Sequence, residues 1–150
     1  MAGREPGAPL ACWSYQRGIR LPYPVLRLRL YNAALEEYGE IPFQVDTGYE
    51  GPLMLPRSEY EFFMIGELPR SLWRRYRTLT DTVTMRVARA VAEVAGARME
   101  VYIESPLHGG GKRLAGREVL NRLRVLLDGP AGRLCLLEGG EAGAGAGETG

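Results

Sequence analysis

Between residues 25 and 31 apolar and basic residues alternate, with Leu26, Leu28 and Leu30 on one side and Arg27 and Arg29 on the other. A period of two predicts a half-buried strand. Residues 32–39 read as a turn, and residues 40–45 as the returning strand, which ends on Asp46. Pro42 has no backbone donor, so the start of that strand is expected at a sheet edge. Residues 51–55 predict a further short strand, and Pro56 suits the first turn of a helix over residues 57–65. More strands are predicted over residues 73–79, 82–94, 99–103, 123–127 and 133–137, with a short helix over 116–122. Within 82–94 the apolar phase passes from Val83, Met85 and Val87 to Ala88, Ala90 and Ala92, which predicts a bulge or bend near Arg89. Many short strands, few helices and no strand–helix alternation predict a mainly β protein with a barrel-like closure.

The two ends differ from this pattern. Residues 1–22 contain Pro6, Pro9 and Pro22 among glycines, and read as an irregular arm docked through Trp13. Residues 139–150 are nearly all Gly, Ala and Glu, a composition that cannot bury a core, and are expected to be a disordered tail. One domain over residues 23–138 remains. Its Leu53, Leu55, Phe62 and Phe63 are expected in the core.

Composition narrows the chemistry. Of 150 residues, 45% are apolar and 25% charged, as in an ordinary globular domain. A net charge of +1 offers no field to gather nucleic acid or an anionic membrane, so neither is expected as a partner. No apolar run approaches the roughly 20 residues of a membrane span. Residues 1–7 lack the charged and apolar regions of a signal peptide, which makes the cytoplasm the expected compartment. Cys12 and Cys135 do not form a disulfide framework or a metal-ligand spacing, so no metal and no cofactor is expected. His108 is the single histidine and sits in a glycine loop. Gly109-Gly110-Gly111-Lys112-Arg113 runs into Leu114 rather than a Ser/Thr-headed helix, so it reads as a linker and not a phosphate cradle. Arg74, Arg75 and Arg77 read as a solvated strand face, with a patch for an acidic ligand as the alternative.

The candidate chemistry lies at Val45-Asp46-Thr47-Gly48, flanked by apolar runs. A carboxylate can act as acid or base, a threonine hydroxyl can hold a loop, and glycine admits a close approach of backbone or ligand. Later in the chain Leu114-Ala115-Gly116-Arg117 opens an amphipathic segment. In that order and spacing the two stretches resemble those of the retropepsin-like aspartic proteases, the single-domain relatives of the retroviral proteases. The resemblance covers about residues 23–138. It implies a closed, homodimeric β-barrel with one or two short helices, acting on a peptide or unfolded protein.

The resemblance assigns the catalytic loop to Asp46, Thr47 and Gly48. Peptide hydrolysis by two carboxylates sharing a proton needs a second Asp46, which a two-fold partner would bring. Thr47 would lock the two loops together. Glu50, four places after the aspartate, is expected to pair with Arg117, partly shielded behind the loop, with Gly116 at the turn between. The substrate-covering flap falls on Thr80, Asp81 and Thr82, without the glycines common at its tip. Tyr49 is larger than the residue usual after the motif and is expected to narrow the cleft. A catalytically inactive dimerising or peptide-binding module of the same fold stays open as the other reading.

Overall fold

The computed structural model describes residues 8–143. Strand β1 (Pro9–Ser14) is followed by β2 (Val25–Asn32), β3 (Glu37–Val45), β4 (Leu53–Met54) and helix α1 (Arg57–Tyr60), which continues as a 3-10 turn over Glu61–Gly66. Then come β5 (Arg74–Arg77), β6 (Thr82–Val94), β7 (Ala97–Pro106), β8 (Leu114–Ala115), helix α2 (Arg117–Leu120), β9 (Arg124–Asp128) and β10 (Arg133–Leu137). The larger sheet runs β2-β3-β8-β4-β7-β6-β5, and a β2–β6 pairing closes all but β5 into a barrel. A smaller sheet, β1-β10-β9, packs beside it.

The alternation in β2 does what its pattern predicts. Leu26, Leu28 and Leu30 are wholly buried, while Arg27 and Arg29 reach glutamates at the surface. Phe43, Leu53, Leu55, Tyr60, Phe63 and Ile103 fill the barrel with them. Each large aliphatic or aromatic side chain fully buried this way contributes about 1.5–3 kcal/mol. Pro42 lies in a stretch of β3 that pairs with β2 on one side, while pairing with β8 on the other begins at Gln44. The helix predicted over 57–65 is present as α1 and its 3-10 continuation.

Three expectations are corrected. No bulge interrupts β6 against β7, whose register is unbroken from Met85↔Pro106 to Val94↔Ala97. The phase changes without an extra residue because four successive residues, Met85 to Ala88, are buried, so both faces of β6 are covered there. Along the edge away from β7, its first half pairs with β5, its second half pairs with β2, and Val87 accepts a backbone bond from Leu68.

The arm expected to be irregular is a strand over Pro9–Ser14, paired with β10 so that Cys12 lies opposite Cys135. The two are joined as a disulfide across a sequence separation of 123 residues, which no local spacing signals. Trp13 packs against the core, as the docked arm requires.

The tail is also ordered in part. Gly139 bridges to Ala142, Ala142 is buried in the core cluster, and Glu141 receives two hydrogen bonds from Arg122 (2.6 and 2.7 Å). The rest of the expected tail, 144–150, lies outside the described residues. Among the described residues no helix is long and apolar enough to cross a membrane.

Two measurements follow from these contacts. Cys12→Ala is expected to cost roughly 2–5 kcal/mol, since the bond closes a long loop in the unfolded chain. Denaturant titration with and without reductant checks this, and a parent insensitive to reductant would contradict it. Truncation after Glu138 is expected to lower Tm, because it removes the buried Ala142 and the partner of Arg122. The Arg122 guanidinium, first by its hydrogen bonds, holds the Glu141 carboxyl below its usual range. That part of the loss is therefore present above the ordinary carboxyl pKa and disappears as pH falls through the lowered one. A truncated chain melting like the parent at neutral pH would refute it.

Candidate functional site

Asp46 is the first residue beyond β3. Its backbone N–H donates to the Ala115 carbonyl at 3.0 Å, and its Oδ1 accepts from the Gly48 N–H at 2.9 Å. The side chain thus turns back on its own loop, as aspartates in turns do, and remains half-buried while Thr47 and Gly48 are exposed.

The start of α2 grips the other side of this loop. Gly116 donates to the Pro52 carbonyl (2.7 Å), Arg117 to Tyr49 (2.8 Å) and Glu118 to Gly51 (3.1 Å). Each donor is an N–H that the helix itself leaves unused. So close an approach admits no side chain at 116, where a Cβ would lie 2.1 Å from the Gly51 oxygen. Gly116 is therefore a geometric requirement of the loop.

Glu50 and Arg117 meet, with Oε2 and Nη2 3.1 Å apart. The shielding expected for them is absent within the single chain, where their side chains are 72% and 47% exposed. Tyr49 takes the inward position, which carries Glu50 outward. An ion pair this open contributes about 0–1 kcal/mol.

Tyr49 leads to a group that pattern reading missed. Its ring is buried and its hydroxyl donates to Glu104 Oε1 at 2.6 Å, while the Tyr76 hydroxyl donates to Oε2 at 2.8 Å. Arg74 Nη1 lies 3.1 Å from the same carboxylate and 2.6 Å from Glu118. One buried acid on β7 thereby joins the Asp46 loop, β5 and α2. Burial pushes the Glu104 carboxyl up, against the hydroxyls of Tyr49 and Tyr76 and the charge of Arg74. Burial first, and then Glu104, also raise both phenols. Alternation puts Glu104 on the outward face of β7, beside the inward Ile103. The only sequence signal was a carboxylate flanked by Ile103 and Ser105 at the end of an apolar strand.

The β5–β6 hairpin overhangs the loop. Its tip holds Thr80, Asp81 and Thr82, the positions expected for a flap. Thr78 closes it without glycine: its N–H and hydroxyl both donate to the Asp81 carbonyl, and its Oγ1 accepts from the Asp81 N–H at 3.0 Å. Leu79 stands fully exposed at the end. Beneath is a cleft of 690 Å³ lined by Asp46, Gly48, Tyr49, Met54, Tyr76 and Met85 among others. Tyr49 shares its wall, but its hydroxyl is committed to Glu104. A larger cleft of 870 Å³ lies on the barrel wall by Ala90 and Tyr102. It contains no residue of the Asp46 loop, so the smaller cleft is the candidate site.

Glu104→Ala would strand both phenol hydroxyls, at about 1–3 kcal/mol for each unsatisfied group, and leave Arg74 with Glu118 alone. Glu104→Gln keeps the shape. A carboxyl raised by folding contributes stability below its unfolded pKa and loses it as pH rises through the folded one. The Gln variant is therefore expected to match the parent in acid and to exceed it at higher pH. Melting curves across pH read this directly, and an alanine variant as stable as the parent would remove the network's importance.

No family model matches the sequence, and no curated protein matches it. Among solved structures the chain is similar to the crystal structure of a retropepsin-like aspartic protease from Rickettsia conorii. The TM-score is 0.52 at 15% sequence identity, over 85% of this chain and 91% of that one. The closed barrel, β8 set between β3 and β4, and the hairpin over the Asp46 loop accordingly make up a retropepsin-like fold.

Proposed function

We propose that the protein is a homodimeric aspartic endopeptidase in which each subunit contributes one Asp46. The observation that carries this reading is the placement of Asp46. It lies at the mouth of a cleft, on a loop braced by backbone bonds from both sides and covered by a hairpin. One carboxylate per chain is half of the required machinery, and a two-fold mate supplies the rest. Two carboxylates brought close cannot both ionise easily, so they share a proton. The ionised one takes a proton from water as the oxygen attacks the peptide carbonyl. The protonated one gives its proton to that carbonyl oxygen. Collapse of the tetrahedral diol then breaks the C–N bond, and a proton passes to the leaving amine.

The chain's exposed groups support pairing on this face. Thr47, exposed here, would hydrogen-bond across the two-fold to the partner loop. Ile19 and Leu21 project into solvent from a loop beside Gln44, two residues before Asp46, and give that face apolar surface to bury. Glu50 and Arg117 would lose their exposure there, and with it the weakness of their pairing. The disulfide bears on the compartment. Such bonds persist in oxidising surroundings, which favours an extracytoplasmic setting over the cytoplasmic expectation.

Sedimentation at micromolar concentration is expected to give about twice the 16.6 kDa chain mass. Asp46→Asn should abolish cleavage of an unfolded protein while leaving fold and dimer intact. Cleavage undiminished in Asp46→Asn, or by a strict monomer, would refute the mechanism. An inert parent that still dimerises and binds peptide would favour the non-catalytic module.

A further inference from the structure

Among the described residues β5 is a free edge of the larger sheet, pairing with β6 alone. Its alternation divides its arginines. Arg74 points inward with Tyr76 and is neutralised by Glu104 and Glu118. Arg75 and Arg77 point outward, are exposed, and have no carboxylate within ion-pair distance among the described residues. Both line the cleft that contains Asp46. The other acid lining that cleft, Glu50, is already engaged by Arg117. The hairpin thus presents two uncompensated guanidinium groups on the face of β5 opposite Tyr76, beside their cross-strand partners Thr84 and Thr82.

We propose that Arg75 and Arg77 select acidic substrates: an extended peptide laid along β5 with two carboxylates separated by one residue. An unpaired strand edge offers main-chain donors and acceptors to such a peptide, and side chains at alternate positions then give specificity. Residues two apart on a strand lie on one face about 6.6–6.8 Å from each other. Acids at i and i+2 of the added strand therefore sit opposite Arg75 and Arg77, where cross-strand partners meet and a guanidinium can hold a carboxylate bidentately. Adjacent acids point to opposite faces, so only one of them can be paired. The peptidase reading supplies the peptide-binding role on which this rests, while the spacing rule is a property of β5 itself.

Binding and turnover separate the two. Fluorescein-labelled peptides carrying Glu-x-Glu, an isomer with the glutamates adjacent, Gln-x-Gln and Lys-x-Lys are titrated into the full-length Asp46→Asn protein, with anisotropy as the readout. Glu-x-Glu is expected to bind at least about tenfold more tightly than each of the others, and to weaken with added salt. The double variant Arg75→Glu/Arg77→Glu should transfer the preference to Lys-x-Lys. Arg75→Gln/Arg77→Gln, with circular dichroism confirming the fold, should remove any preference. Equal binding of the two glutamate isomers, equal binding of Glu-x-Glu and Gln-x-Gln, or no binding of any peptide overturns the inference. Cleavage sites of the parent on a denatured protein are mapped in parallel. Cleavage without acidic enrichment sinks the inference and leaves the peptidase, whereas the binding preference without cleavage leaves the inference and sinks the peptidase.

Discussion

The site depends on the insertion of two residues, Leu114 and Ala115, between strands that lie far from them in sequence. β8 runs parallel to β3 and antiparallel to β4, and so fills the gap through which the Asp46 loop leaves the barrel. Without it the barrel would have an open seam, and the loop would have no partner for the Asp46 N–H. The same insertion brings α2 up behind the loop, where three successive amides meet three loop carbonyls. This packing needs a residue with no side chain at the junction, and Gly116 supplies it. Sheet closure and loop geometry are thus satisfied by one short segment.

Below that segment lies a second kind of constraint. Glu104 is held by Tyr49 of the Asp46 loop and by Tyr76 and Arg74 of β5, and both phenols depend on it for a partner. Networks of this sort are costly when incomplete and specify one arrangement when complete. Here the arrangement fixes the base of the hairpin relative to the loop. At the opposite end the Thr78 turn and the exposed Leu79 have no such anchorage. The hairpin is therefore firm at its root and free at its tip, and motion over the cleft is expected from the tip outward.

Much of this was legible in the sequence where one physical rule dominates. The β2 alternation, the short strands and the helix after Pro56 express local periodicity and chain stiffness, whereas the meeting of the Asp46 loop with the Gly116 segment was implied by the resemblance to the retropepsin-like proteases. The missed features are non-local or two-sided. Cys12 meets Cys135 only because β1 finds β10, and no spacing rule encodes that meeting. Ala142 and Glu141 look like linker by composition, yet they dock because Arg122 and the core offer them partners. Glu104 occupies an outward position of an alternating strand, and only the layer formed by Tyr49 and Tyr76 makes that position interior. The alternation of residues 73–79 was legible, but Arg74 was expected on a solvated face and is instead engaged by Glu104 and Glu118, partners that lie far away in sequence.

The disulfide also changes what a cut in the chain would mean. Cys12 and Cys135 tie almost the whole described chain into one covalent ring, so a single backbone break anywhere between them yields no separate fragment. For a chain read as a peptidase, self-inflicted nicks in the exposed hairpin tip or the glycine loop would leave a molecule of unchanged mass, apart from one added water. Its first and last strands, β1 and β10, would still be held together by the bond. Reducing conditions would then reveal two pieces where non-reducing conditions display one. Damage of that kind could accumulate in a population that remains folded and assembled.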